Sequence, residues 1–148
     1  MSPKPALDVR IKRIYDRPGL DGERVLVDRL WPRGVARNAA RIDQWLQDLA
    51  PSNELRAWFG HDPARWEEFR RRYRRELAAR REQIEALRRL AGQRPLTLLY
   101  AARDKRHNQA VVLREVILGR AASGRGGAGP ARPRARRSPG ADIRERIG

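Results

Sequence analysis

The chain contains no cysteine. This excludes disulfides, thiolate nucleophiles and cysteine-ligated zinc, and leaves the redox compartment open. Histidine occurs only at positions 61 and 107. A metal site would therefore need carboxylates such as Asp28, Asp62 or Asp104, a weak donor set, and neither a metal nor a cofactor is expected. No run approaches the roughly 18 consecutive apolar residues of a membrane span. Met1-Ser2-Pro3-Lys4-Pro5 lacks the apolar segment of a secretory signal, so a cytoplasmic protein with no membrane partner is expected. Signature motifs are scarce too. There is no G-x-x-x-x-G-K-[ST] and no H-E-x-x-H, and the glycine-rich stretch Gly124–Gly129 follows no strand pattern, so neither a standard nucleotide loop nor a zincin is supported.

What the chain has in excess is arginine: 31 residues against three lysines, within a formal net charge of +16. The charge is uneven. Residues 120–148 carry eight arginines against Asp142 and Glu145, while residues 1–119 hold 26 basic and 16 acidic residues. Such a balance favours polyanions as non-specific partners, but by itself it argues association and solubility rather than a specific site. At 148 residues the chain is long enough for one domain with a proper core and too short for two of ordinary size.

Hydrophobic patterning divides the chain at about residue 119. Residues 9–15 alternate partially, as in a half-exposed strand, and Glu23–Asp28 is a short apolar run of a buried one. Ala39, Ile42, Trp45, Leu46 and Leu49 recur at three- and four-residue spacing, which predicts a helix over 38–49. Ser52 is placed to cap a short helix carrying Leu55, Trp58 and Phe59, and Asp62-Pro63 has the form of a cap followed by a first helical position. The apolar stripe Trp66, Phe69, Tyr73, Leu77, Ile84, Leu87, Ala91 marks a long helix with i,i+4 pairs such as Glu67–Arg71 and Glu76–Arg80. A continuous helix over 63–90 would reach roughly 42 Å, so a break near Ala78–Arg81 is expected. Leu96–Tyr100 is apolar almost throughout, as in a strand covered on both faces, and a closing helix follows Asn108. Strands separated by helices indicate an α/β fold with a mainly parallel sheet flanked by helices. The expected domain is 7–119. Residues 120–148, rich in Gly, Pro, Ala, Ser and Arg with almost nothing to bury, read as a disordered tail.

Two polar clusters each follow an apolar strand. The first holds Asp28, Arg29, Trp31 and Arg33; the second holds Arg103, Asp104, His107 and Asn108. In an open parallel sheet ligands bind beyond the carboxyl ends of the strands, so parallel strands would deliver both clusters to one rim. Arginine there offers a bidentate fork to phosphate or carboxylate, and amides at the start of the last helix would add partial positive charge. The same residues also have structural readings. Asp28 could pair with Arg29 or Arg103, Asn108 could be only a cap, and Trp31 only a cover for the core. His61 beside Asp62 resembles a catalytic pair, but sequence neighbours rarely form one, and Asp62 is better used as a helix cap.

Ile11–Tyr15, Asp21-Gly22, Arg24–Gly34, Trp45-Leu46, Ala50-Pro51-Ser52, Leu55-Arg56, Trp58-Phe59, His61-Asp62-Pro63, Arg72-Tyr73 and Thr97–Asp104 with His107-Asn108 closely resemble the YeaO-like branch of the domain-of-unknown-function 488 family. The resemblance spans about 9–118 and leaves out the tail. It implies a Rossmann-like fold and a bacterial cytoplasmic protein, and assigns no reaction. Broader members of that family carry a cysteine and an acidic residue after the strand equivalent to 96–100, then a Cys-His-Arg string. Tyr100 and Ala102 stand in place of the first pair here, and His107-Asn108 fall where the second would be, so the resemblance implies loss of any cysteine chemistry. Three functions fit these features: a binding module for a small anionic or nucleotide-like ligand at the strand-end rim, an enzyme using Asp28, Asp104 or His107 as acid–base groups, and a nucleic-acid binder acting through its arginines and basic tail.

Overall fold

The computed structural model describes residues 7–120; the expected tail lies, from residue 121 onward, outside the described residues. Four strands, β1 (Val9–Arg13), β2 (Glu23–Leu26), β3 (Gln44–Trp45) and β4 (Leu96–Tyr100), form one sheet in the order β1-β4-β2-β3. Every pairing is parallel. The central position of β4 accounts for its unbroken apolar sequence, since both faces must be covered. Leu96, Leu98 and Tyr100 face one cluster with Val9, Val25 and Val27, while Leu99 joins Ile14, Leu26 and Ala40 on the other side. Thr97, the one polar residue of β4, is buried and donates its hydroxyl to the Asp21 carbonyl at 2.7 Å.

The larger cluster is roofed by α2 (Asn53–Phe59), α3 (Trp66–Ala78), α4 (Arg81–Ala91) and α5 (Gln109–Leu118). Its centre is aromatic: Phe59 stacks on Phe69 with centroids 4.3 Å apart, and Tyr73 donates to the Leu49 carbonyl at 2.5 Å. Local signals behave as expected at the helix starts. Ser52 Oγ accepts from Leu55 N at 3.1 Å, and Asp62 accepts from Ala64 N at 3.0 Å before a 3-10 turn, Pro63–Arg65, leads into α3. The long amphipathic stretch does break, between Ala78 and Arg81. The exposed arginines there interrupt the apolar stripe, and the two segments bury Leu77 and Ile84 separately.

Two expectations fail. Residues 38–49 are not a helix. α1 covers only Arg37–Ala40 and ends at Arg41 with φ 52°, after which Gln44–Trp45 pairs with β2 and Gln47–Leu49 forms a 3-10 turn. Tertiary bonding outcompetes the helical period: the buried Arg24 guanidinium takes the carbonyls of Ala40 and Arg41 at 2.9 and 3.0 Å. Asp43 exchanges bonds with the Arg24 backbone, and Leu46 N donates to Leu26 O at 3.0 Å. The second failure concerns the two named i,i+4 pairs, although Arg72 and Glu68 do pair at that spacing, at 2.8 Å. Glu67 pairs with Arg70 and Arg71 with Glu68, and Glu76 instead accepts from Ser52 N and Oγ at 2.9 and 2.6 Å. Donors at the start of α2 need a partner more than an exposed arginine does.

Gly22 fixes the approach of the β1–β2 loop to Pro95, the residue that leads into β4. Its φ is +67°, and a Cβ there would lie 2.1 Å from the Pro95 carbonyl oxygen, which accepts Glu23 N at 2.9 Å.

Candidate functional site

β2 and β4 are neighbours, but the chain leaves them toward opposite faces. After β2 it runs through Trp31 and Val35, which pack on the Leu26–Leu99 side; after β4 it enters α5, whose Ala110, Val112, Leu113 and Ile117 pack on the other. Such divergence opens a crevice at the carboxyl edge of a parallel sheet. A cleft of about 590 Å³ lies there, lined by Asp28 and Arg29 after β2, Ala101–Asp104 after β4, Gln109 of α5, and Arg56 and His61 from the α2 region. That volume falls within the usual size range of small-molecule sites.

Asp28 sits at the junction of the two strand ends. One carboxylate oxygen accepts Ala101 N at 3.1 Å, the other accepts the Gln109 side-chain amide, and its own carbonyl receives the Trp45 indole N–H at 2.8 Å. Burial dominates its titration and raises its pKa to about 6, against the opposing pull of those two donors and of the Arg56 charge. Among the described residues no cation pairs with it. The pairing with Arg29 or Arg103 that its structural reading allowed is not made.

The three arginines of the cleft differ in how free they are. Arg29 is bound to the loop before α2, donating from Nε to Pro51 O at 3.0 Å and from Nη2 to Ala50 O at 3.1 Å. Arg56 is exposed, and among the described residues its guanidinium hydrogen-bonds only to Asn53 Oδ1, at 3.2 Å. Arg103 is exposed, and its guanidinium makes no hydrogen bond or ion pair among the described residues. Below it the loop is braced: Arg13 of β1 donates to the carbonyls of Ala102 and Ala101 at 3.0 and 3.2 Å.

Asp104 caps its own loop, accepting Arg106 N at 2.9 Å and His107 N at 3.0 Å on one oxygen, with His107 Nδ1 2.8 Å from the other. The histidine contact lowers the pKa of Asp104. His107 turns away from the cleft and sets its ring edge-on to Trp66, centroids 5.2 Å apart.

Of the eight residues singled out from sequence, Asp28, Arg29, Arg103 and Asp104 line the cleft, and Trp31, Arg33, His107 and Asn108 do not. Trp31 follows its structural reading, packed edge-on against Trp45 with Arg37 over its ring. Arg33 is exposed and supplies its carbonyl to the Tyr15 hydroxyl at 2.9 Å. Asn108 is buried as the cap of α5, accepting Ala110 N and Val111 N at 2.9 and 3.2 Å. Those amides are thereby taken, which corrects the expectation that they would face a ligand. Sequence reasoning missed Arg56 and Gln109 and set His61 aside. His61 stands apart from Asp62, in a left-handed conformation with φ 57° that turns it toward the cleft wall. Gln109 could have been found as the neighbour of Asn108; Arg56 had no local signal.

A small parallel α/β domain with a ligand-sized crevice at a strand switch point is thus defined. The chain belongs to the DUF488 family, in which the profile described as the inactive DUF488-N3 subclade matches residues 8–135. The match extends beyond residue 118, where the sequence resemblance was read to end. The uncharacterized protein YeaO of Escherichia coli is 40% identical over 108 residues, covering 72% of this chain and 94% of its own length. The uncharacterized protein Rv3073c of Mycobacterium tuberculosis is 42% identical over 113 residues, covering 76% and 95%. No solved structure matches. Among the described residues no helix is long and apolar enough to cross a membrane, and no group of side chains is arranged to hold a metal ion.

Proposed function

We propose that the cleft beyond β2 and β4 binds a small anionic ligand, of phosphate, nucleotide-like or carboxylate chemistry. The observation that carries this reading is the pair of exposed arginines, Arg56 and Arg103, which reach one hollow from different elements with no carboxylate partner among the described residues. A guanidinium without an acid partner offers a planar fork for a phosphate or carboxylate. The description of the subclade as inactive favours binding over turnover. Calorimetric titration of the full chain with inorganic phosphate, AMP and a dicarboxylate tests it. Saturable binding that weakens about tenfold or more in Arg103→Ala and in Arg56→Ala, and not in Arg89→Ala on α4, is expected. Equal loss in all three variants would reduce the effect to general charge.

A second reading rests on Asp28. A carboxyl group with a pKa of about 6 in a cleft is suited to acid–base work near neutral pH, and an enzyme of unassigned reaction would use it. Binding of nucleic acid would draw on the arginines from 120 onward, of which only Arg120 is among the described residues.

A further inference from the structure

The cleft holds a feature that a pure anion site does not need. Asp28 lines it half-buried, where the ends of β2 and β4 meet, and the arginines without acid partners among the described residues are Arg56 and Arg103. Each Asp28 oxygen receives one neutral donor, from Ala101 N or Gln109. A carboxylate oxygen has two acceptor sites, so one on each oxygen is left over. No arginine closes them: Arg29, the nearest in sequence, is turned onto Ala50 and Pro51 carbonyls. A half-buried carboxylate without an ion-pair partner is still costly, and at this position it would repel a simple anion drawn in by the arginines.

We infer that the ligand is dipolar, a small molecule whose anionic group lies on Arg56 and Arg103 and whose protonated nitrogen lies on Asp28. This rests on the anion-binding reading above and narrows its ligand class to aminoalkyl phosphates, amino acids and similar molecules. A ligand ammonium supplies the cation that Asp28 lacks and turns the internal repulsion into attraction. The charged and titratable groups around Asp28 are Arg29 on its own loop, Arg56 of α2, His61, Arg103 and Asp104 after β4, and Tyr73 of α3. None of them is an ion-pair partner of Asp28 among the described residues.

The test compares two ligands that share a phosphate and differ in the ammonium, phosphoethanolamine and ethyl phosphate, by calorimetry on the full chain at pH 7.5. Phosphoethanolamine is expected to bind about tenfold or more tightly than ethyl phosphate. Asp28→Asn should bring the ratio close to one, and Arg103→Ala should weaken both ligands. Should the variant fail to fold, the wild type serves with 2-aminoethanesulfonate and ethanesulfonate, whose charges do not change between pH 5 and 7.5. Their affinity ratio should shrink toward one at pH 5 as Asp28 takes up a proton. Ethyl phosphate binding as tightly as phosphoethanolamine would overturn the dipolar inference and leave the anion site standing. Failure of every anion to bind would overturn both.

Discussion

Burial of Asp28 should leave a signature in stability as a function of pH. Its pKa rises from 3.8 to about 6 on folding, mainly through desolvation. Below about pH 4 both folded and unfolded chains hold the proton, and the group contributes no difference. Between about 4 and 6 the folded chain keeps a proton that the unfolded chain has released, so stability falls as pH rises. Above about 6 the penalty is complete, at most about 3 kcal/mol at roughly 1.4 kcal/mol per tenfold change in acidity. Asp28→Asn removes the charge while its carbonyl oxygen still accepts Ala101 N, and a reversed Gln109 amide can serve the new NH2. The cost of that exchange is about one hydrogen bond, roughly 0.5–1.5 kcal/mol, at every pH. Urea unfolding of both proteins from pH 4 to pH 8 isolates the effect, because other carboxylates cancel in the difference. The variant should gain about 2–3 kcal/mol on the wild type across that range, with unchanged m-values. A difference independent of pH, or one that grows toward acid, would refute a desolvated Asp28 without an ion-pair partner.

Phe69→Ala should cost about 3–5 kcal/mol in urea unfolding, because Phe69 is buried and stacked on Phe59. Trp66→Ala should cost less, since Trp66 is only half-buried at the start of α3. Gly22→Ala should lose at least about 2 kcal/mol, combining a positive φ with collision on the Pro95 carbonyl; a loss under 0.5 kcal/mol would show that the loop moves aside freely. Removing residues 121–148 should leave small-anion affinity in calorimetry unchanged. The same deletion should lower affinity for duplex DNA and flatten its salt dependence by about 0.9 for each phosphate no longer neutralised.

Sequence reasoning read β1, β2, β4 and the helix starts because their signals are local or strictly periodic. β4 was visible as a run buried on both faces, α2 through Ser52, and the α3–α4 break through the length that an unbroken helix would need. The 38–49 segment was misread because its apolar spacing fits a helix, while the interactions that decide it come from elsewhere. Arg24 takes the carbonyls that a continuing helix would use, and β2 offers an open edge to Gln44–Trp45. Trp66 lies on the apolar stripe of the sequence, yet α3 begins at that residue and leaves it only half-buried. Half of the candidate residues fall in the cleft for one reason: parallel strands bring their carboxyl ends together, and Asp28 and Arg103 follow two adjacent strands. Arg56 was hidden because its place depends on how α2 packs on α3. His107 and Asn108 were over-read, since a polar run before a helix serves first to cap it.

The central claim is that anions bind at the β2–β4 crevice and not across the basic surface at large. Nuclear magnetic resonance of the isotope-labelled full chain, titrated with inorganic phosphate at constant ionic strength, tests it most directly. Saturable shifts should appear at the backbone amides of Arg29 and Ala101–Arg103 and at the side-chain N–H groups of Arg56, Arg103 and Gln109, with α4 unmoved. Saturable shifts centred on Arg74, Arg81 and Arg88 in the hollow between α3, α4 and α5, or non-saturating shifts of similar size at every exposed arginine, would contradict it.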